Sequence, residues 1–105
     1  MQENIALTEA VYYILLSLYQ PCHGYGIMQN VMELSRGRVV LAAGTLYGAL
    51  STLLEKGWIH SLPVEENARK KEYEITDVGR TVVLSEIARL RELIENGARI
   101  SGGLL

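Results

Sequence analysis

Two short segments of this chain alternate apolar and polar residues, whereas most of the remaining sequence has the spacing of helices. "WIHSL" (58–62) and "EYEIT" (72–76) show the period of two that is typical of β-strands. The polar stretch "PVEENARKK" (63–71) separates them. The two segments therefore predict a single antiparallel hairpin with a long, basic-tipped loop, set in a chain that is mostly helical.

Three helices are predicted before the hairpin and one after it. The helical ranges are about 9–20, 24–34, 43–56 and 77–96. Thr8 is a predicted N-cap, and Thr76 or Asp77 caps the last helix. The run at 38–41 is long enough for no more than one strand-like pairing. This order predicts an α+β fold, a winged helix-turn-helix, in which the third helix enters the major groove and the hairpin loop lies along the DNA backbone.

Length and composition limit the number of structural units and the cellular compartment. The 105 residues predict one structural unit, with a DNA-binding part at 1–76 and a C-terminal helix and tail at 77–105. The single Cys excludes an internal disulfide and suits a reducing compartment. No apolar run reaches the ~18 residues of a membrane span, and the first ten residues do not resemble a signal peptide. We expect a cytoplasmic protein without a membrane partner.

The third helix is predicted to have an outer face of low relief. Within "LAAGTLYGALSTLLEKGWI" (41–59), Leu46, Leu50 and Leu53 mark the inner stripe. The outward and flanking residues are Gly44, Thr45, Tyr47, Gly48, Ser51 and Thr52. Two glycines in a helix cost about 1 kcal/mol each relative to Ala, which a close approach to another surface would offset. Hydroxyl groups bond phosphates and base edges, so this face predicts contact with double-stranded DNA rather than a weak surface helix.

Basic residues extend this prediction to the hairpin loop. Arg69, Lys70 and Lys71 are three consecutive cations in a chain whose formal net charge is -2. We expect them to contact phosphates rather than only water. Arg36 and Arg38, before the third helix, fit a contact to the DNA backbone and a plain surface charge equally well.

The last helix carries a predicted dimer interface. Four apolar residues repeat at spacings of four, three and four, which is typical of a seam for another helix: Val83, Ile87, Leu90 and Ile94. The first helix is apolar nearly all round, so Tyr12 and Leu16 on its outer side are the predicted mates of this seam. The sequence thus predicts a homodimer.

Three stretches resemble the PadR-like bacterial transcriptional regulators: "LTEAVYYILLSLYQPCHGYGIMQNV", "GTLYGALSTLLEKGWI" and "RKKEYEITDVGR". The resemblance covers about 7–95 and includes "HGY" at 23–25, "GTLY" at 44–47 and a Tyr-x-Ile-Thr-x-x-Gly run ending at Gly79. It implies a winged helix-turn-helix repressor that dimerises through its C-terminal helix. One helix after the wing places the chain in the short branch of the family.

The chain departs from the family pattern at several positions. Ala42 stands where the family usually has an N-cap, and Gly48 stands where it often has Pro. Glu72 and Glu74 add negative charge beside the basic loop. These glutamates and the acidic net charge support an alternative function, a winged-helix protein–protein adaptor without affinity for DNA.

Metal, cofactor and enzyme functions find little support. Cys22 and His23 are adjacent, but the second His, His60, lies on a predicted strand and no acidic residue is spaced to complete a site. We expect His23 to begin the second helix. No Ser-His-Asp order, phosphate-binding Gly-rich loop or carboxylate pair in an apolar setting appears, so neither catalytic residues nor a cofactor are predicted.

Aromatic side chains leave two interpretations open. Tyr12, Tyr13, Tyr19 and Trp58 fit the lining of a pocket for a small aromatic effector as well as they fit core and dimer packing. Some multidrug-responsive relatives hold flat aromatic compounds with a Trp on the last helix. That helix has no Trp here, so their binding mode does not carry over.

Overall fold

The computed structural model describes residues 6–63 and 70–103. The elements, in chain order, are α1 (Glu9–Ser17), β1 (Cys22–His23), α2 (Gly24–Leu34), α3 (Ala43–Glu55), β2 (Ile59–Ser61), β3 (Glu72–Ile75) and α4 (Asp77–Ser101). The order helix, helix, helix, hairpin, helix is confirmed, and with it the winged helix-turn-helix. None of these helices is long and apolar enough to cross a membrane.

The helix ends follow the capping residues of the sequence. The Thr8 hydroxyl accepts the Val11 N–H at 3.1 Å, and the Thr76 hydroxyl accepts the Gly79 N–H at 3.1 Å, so both predicted N-caps are confirmed. The last helix continues beyond the predicted end near Asn96. It stops only at Gly102, whose φ of 76° is the left-handed conformation that commonly ends helices.

The sheet has three antiparallel strands in the order β1-β3-β2. The predicted hairpin is confirmed, with Ile59 paired to Ile75. The strand-like pairing expected at 38–41 is wrong. Those residues follow a turn in which the Ser35 hydroxyl accepts the Val39 N–H at 2.9 Å. The third strand is instead Cys22–His23, which covers the free edge of β3.

One hydrophobic core joins all the layers. The predicted inner stripe of α3 is confirmed, since Leu46, Leu50 and Leu53 are buried. The other apolar core residues are Ile14, Leu15, Leu18, Ile27, Val31, Leu41, Ile59, Tyr73, Ile75 and Val83. Only the first half of α4 packs on this core, because residues 91–97 are all exposed. The far half of α4 therefore projects from the protomer.

Candidate nucleic-acid interface

The outward face of α3 is open to solvent and has little relief. Its exposed residues are Gly44, Thr45, Tyr47, Gly48, Ser51 and Thr52. If Gly44 or Gly48 carried a Cβ, no other described group would lie within 4 Å of it. Neither glycine is therefore required by packing inside the protomer. The Thr52 hydroxyl donates to the Gly48 carbonyl at 3.3 Å, which leaves its lone pairs and methyl group available on the surface.

The N-terminal end of α3 lacks a side-chain cap. Ala42 has the extended backbone of an N-cap but no side chain that can accept from the first-turn N–H groups. A Ser or Asn at such a position contributes about 1 kcal/mol to helix stability. The start of α3 is instead held by the backbone hydrogen bond from the Leu46 N–H to the Ala42 carbonyl, at 3.0 Å, and by the buried Leu46 side chain.

Tyr47 connects the outward face of α3 to the start of α2. Its side chain is half exposed, and its hydroxyl lies against Gly24, where a Cβ would overlap it. His23, just before Gly24, is the N-cap of α2, with Nδ1 accepting the Gly26 N–H at 3.1 Å. The expected role of His23 at the start of the second helix is confirmed. "HGY" and "GTLY" thus meet in space, a contact that their separation in sequence did not reveal.

The described part of the wing carries exposed Lys70 and Lys71, while Arg69 lies outside the described residues. Strand register pairs Glu72 with His23, which places the adjacent Lys71 near the beginning of α2. Glu74 is also on β3, and its carboxylate lies 3.2 Å from the imidazole of His60 on the neighbouring strand β2. When His60 is protonated, this contact is an ion pair that partly offsets the charge of Glu74.

The two arginines before α3 differ in their surroundings. Arg38 forms an ion pair with Glu9 on α1, so its guanidinium is already engaged within the protomer. Arg36 is exposed and has a positive φ of 55°, in the turn that connects α2 to α3. Of the two, Arg36 is the more available for a contact to DNA.

A second candidate surface lies between α1 and the far half of α4. Four of the predicted dimer residues share it, since Tyr12, Ile87, Leu90 and Ile94 line a groove of about 250 Å³. Leu16, the other predicted mate of the seam, instead lines a different groove, of about 410 Å³, between α1 and α2.

Exposure along the α4 seam rises from its beginning to its end. Val83 is buried in the core of its own protomer, which leaves little of it for a partner. Ile87 and Leu90 are partly exposed, and Ile94 is 52% exposed. The apolar surface that this seam offers to a partner is therefore at Ile87, Leu90 and Ile94.

Tyr12 lies on the opposite side of the same groove. Burial raises the pKa of the Tyr12 hydroxyl, and the neighbouring Tyr13 and Glu86 raise it further.

Glu86, a buried carboxylate on α4, makes two contacts that were not predicted from the sequence. It accepts hydrogen bonds from Arg89 and from the Leu7 N–H. The Glu–Arg spacing of three on a helix is a local signal for the contact with Arg89. The contact with Leu7 joins residues that are 79 positions apart, and no local pattern indicates it.

Solved structures of similar fold come from several bacteria. A PadR family transcriptional regulator from Eggerthella lenta DSM 2243 is 24% identical, with a TM-score of 0.70 over 86% of this chain and 79% of that chain. One from Clostridium difficile R20291 is 21% identical, with a TM-score of 0.70 over 88% and 96% of the two chains. A PadR-like transcription factor from Bacteroides fragilis is 26% identical, with a TM-score of 0.70 over 87% of each chain.

The sequence itself matches a family over most of the winged helix-turn-helix. No curated protein sequence matches this chain. Residues 13–85, however, match the transcriptional regulator PadR-like family, which is not a family of enzymes. This match spans more than half of the 105 residues, and the protein therefore belongs to the PadR-like family of transcriptional regulators.

Proposed function

We propose that this protein is a dimeric, sequence-specific DNA-binding repressor. The observation that carries the proposal is the outward face of α3, where the small exposed residues Thr45, Gly48, Ser51 and Thr52 lie beside Tyr47. A helix must come close to base edges to read them, and small residues allow that approach.

The contacts divide into two kinds. Thr45, Ser51 and Thr52 read base edges with hydroxyl and methyl groups. Tyr47 and the wing residues Lys70 and Lys71, together with the predicted contact of Arg69, bind phosphates. Phosphate contacts contribute affinity and orientation, but no base identity.

The groove between α1 and α4 supports a homodimer. An apolar surface that includes the half-exposed Ile94 gains by burial against a second copy of the same chain. Two copies related by a two-fold axis would present two α3 helices to half-sites about one helical turn apart, ~34 Å. Occupying such an operator blocks access to a promoter, which is the repressor activity that the family resemblance implies.

Selection of bound duplexes from a random DNA pool tests the proposal. We expect an enriched, two-fold symmetric sequence with half-sites one turn apart. Enrichment of no sequence would contradict the proposal. It would favour the protein–protein adaptor, for which Glu72 and Glu74 on the wing are the supporting observation.

A further inference from the structure

The outer side of α2 carries a hydrogen-bonded pair, Tyr25 and Gln29, one helical turn apart. Tyr25 is 61% exposed, and Gln29 is exposed as well. The Gln29 amide Nε2 donates to the Tyr25 hydroxyl oxygen at 2.9 Å. A hydroxyl group that accepts in this way keeps its own hydrogen for a second partner. The pair therefore presents an oriented O–H donor at the surface of the protein.

This pair lies on the side of α2 that is turned away from α1. Asn30 and Leu34, on the opposite flank of the helix, line the groove between α1 and α2. Tyr25 directly follows Gly24, against which the hydroxyl of Tyr47 from α3 lies. Tyr25 is therefore placed where α2 meets the outward face of α3.

The wing reaches the same end of α2. Strand register pairs His23 with Glu72, and the exposed Lys71 directly precedes Glu72. The first-turn N–H of Gly26 is already bonded to the His23 imidazole. Tyr25 thus brings a side-chain donor to the point where α3 and the wing, the two elements proposed to contact DNA, come together.

We propose that the Tyr25 hydroxyl donates to a phosphate oxygen of the DNA backbone, and that Gln29 is the positioning residue that orients it. Phosphate oxygens accept hydrogen bonds, so a hydroxyl whose oxygen is already engaged by Gln29 has the matching polarity. This contact rests on the proposed function and adds α2 to an interface made of α3 and the wing. Because the hydroxyl is neutral, it contributes affinity without replacing a counterion, unlike the lysines of the wing.

Tyr25→Phe removes the hydroxyl group and keeps the ring. Binding of the selected duplex and of a random duplex is measured at several salt concentrations, beside wild type. With one contact in each subunit of the proposed dimer, we expect both duplexes to bind roughly tenfold more weakly. The slope of log affinity against log salt concentration should keep its wild-type value, because no charge is lost. Unchanged affinity, a flatter slope or loss of the selected duplex alone would each overturn the phosphate contact.

Methylphosphonate substitution identifies the phosphate that the hydroxyl contacts. Each phosphate of the selected duplex is replaced in turn by a neutral methylphosphonate. At one position in each half-site, the substitution should weaken wild type several-fold more than it weakens Tyr25→Phe, because the variant has no hydroxyl contact to lose. If the two proteins respond alike at every position, the hydroxyl contacts no phosphate.

Gln29→Ala tests the positioning role. The variant should weaken both duplexes, and adding it to Tyr25→Phe should weaken them no further, since Gln29 acts only through the hydroxyl. Losses that add up in the double variant would show that Gln29 acts by another route, and would overturn this role.

Tyr19→Phe is the matched control, because the Arg80 guanidinium lies 4.7 Å from the centre of the Tyr19 ring and the ring stays in the variant. Its DNA binding should equal that of wild type. A wild-type protein that binds no duplex would contradict the proposed function and this contact together. Duplex binding that is equal in wild type and Tyr25→Phe would overturn the contact alone.

Discussion

Glu86 and Arg89 face each other across one turn of α4 and share two hydrogen bonds, of 2.7 and 2.8 Å. The Glu86 carboxylate is buried and also accepts the Leu7 N–H, so the pair fastens the beginning of the chain to α4. The hydrogen bond from Arg89 lowers the pKa of Glu86, and burial opposes this shift without cancelling it.

Glu86→Gln should therefore destabilise the protein in a pH-dependent way. The folded-state pKa of Glu86 is lowered from an ordinary value of about 4.5, so its ionised form stabilises the fold above that value. That stabilisation is lost as the pH falls through the folded-state value. At pH 7 we expect a loss of about 1–3 kcal/mol in the free energy of unfolding, measured in urea.

The difference in the free energy of unfolding between wild type and Glu86→Gln should shrink below about pH 5, because the wild-type carboxylate then begins to take up a proton and stabilises the fold less. Glu92→Gln, at an exposed position of the same helix, is the control and should change stability little at any pH. A Glu86→Gln deficit that stays constant from pH 7 to pH 3 would show that packing rather than charge explains it.

Gly79→Ala should be strongly destabilising. A Cβ at Gly79 would overlap the carbonyl oxygen of Trp58, which cannot easily move because it accepts the Thr76 N–H at 3.0 Å. Overpacking of this kind costs about 1–3 kcal/mol. Gly97→Ala is the control on the same helix, since no other described group lies within 4 Å of its added Cβ. In urea denaturation, Gly97→Ala should be neutral or stabilising, and equal effects of the two variants would contradict this explanation.

Local sequence patterns were sufficient to predict the order of the four helices and the hairpin. The buried side of α3 was predicted from the spacing of Leu46, Leu50 and Leu53. The residues on its exposed side could then be predicted, because helical periodicity places them opposite the leucines. The two threonine caps could be read because their partners lie three residues away. The end of α4 was missed because Gly97 resembles a stop signal, yet the helix continues through it.

Contacts between distant segments could not be predicted in this way. A strand of two residues has no measurable period, and Cys22–His23 is a strand only because β3 leaves an edge for it. The contact of Tyr47 with Gly24 likewise depends on how the elements pack. The outward residues of α3 were predicted from periodicity, whereas their role in DNA binding stays a prediction.

Leu90→Glu together with Ile94→Glu should separate the proposed dimer. Both residues line the groove between α1 and α4, and Ile94 is half exposed, so each protomer should keep its fold. Burying two carboxylates per chain in an apolar interface is too costly without partners. Sedimentation equilibrium should show monomers with unchanged helix content.

The control for this pair is Leu84→Glu, at an exposed apolar position of α4 away from the groove. It should remain dimeric. A double variant that still sediments as a dimer would move the interface to another surface.

Gly48→Leu should weaken DNA binding without harming the fold. No other described group lies within 4 Å of a Cβ at this position, and Gly costs a helix about 1 kcal/mol relative to Ala. Thermal stability should therefore stay equal or rise, whereas affinity for the selected duplex should fall more than tenfold, because leucine blocks the close approach. Gly48→Ala, which has similar helix propensity but less bulk, separates the two effects. Operator affinity that is equal in Gly48→Leu and wild type would show that α3 does not come close to DNA there.

The wing should contribute affinity rather than sequence preference. Lys70 and Lys71 are exposed just before β3, and Arg69 precedes them in the chain. Contacts of such cations to phosphates release counterions, and each contributes about 0.9 to the slope of log affinity against log salt concentration. Replacing all three by Ala should flatten this slope and weaken selected and random duplexes by similar factors, since phosphates carry no base identity.

Binding of both duplexes at several salt concentrations, with wild type and triple variant side by side, measures this effect. Lys70→Arg together with Lys71→Arg keeps the charge and should keep the slope. If Glu72 and Glu74 neutralise the wing, the triple Ala variant will have the wild-type slope, and the wing then contacts no phosphate. If the triple Ala variant loses the selected duplex alone, the wing reads bases, because loss of a phosphate contact would weaken every duplex equally.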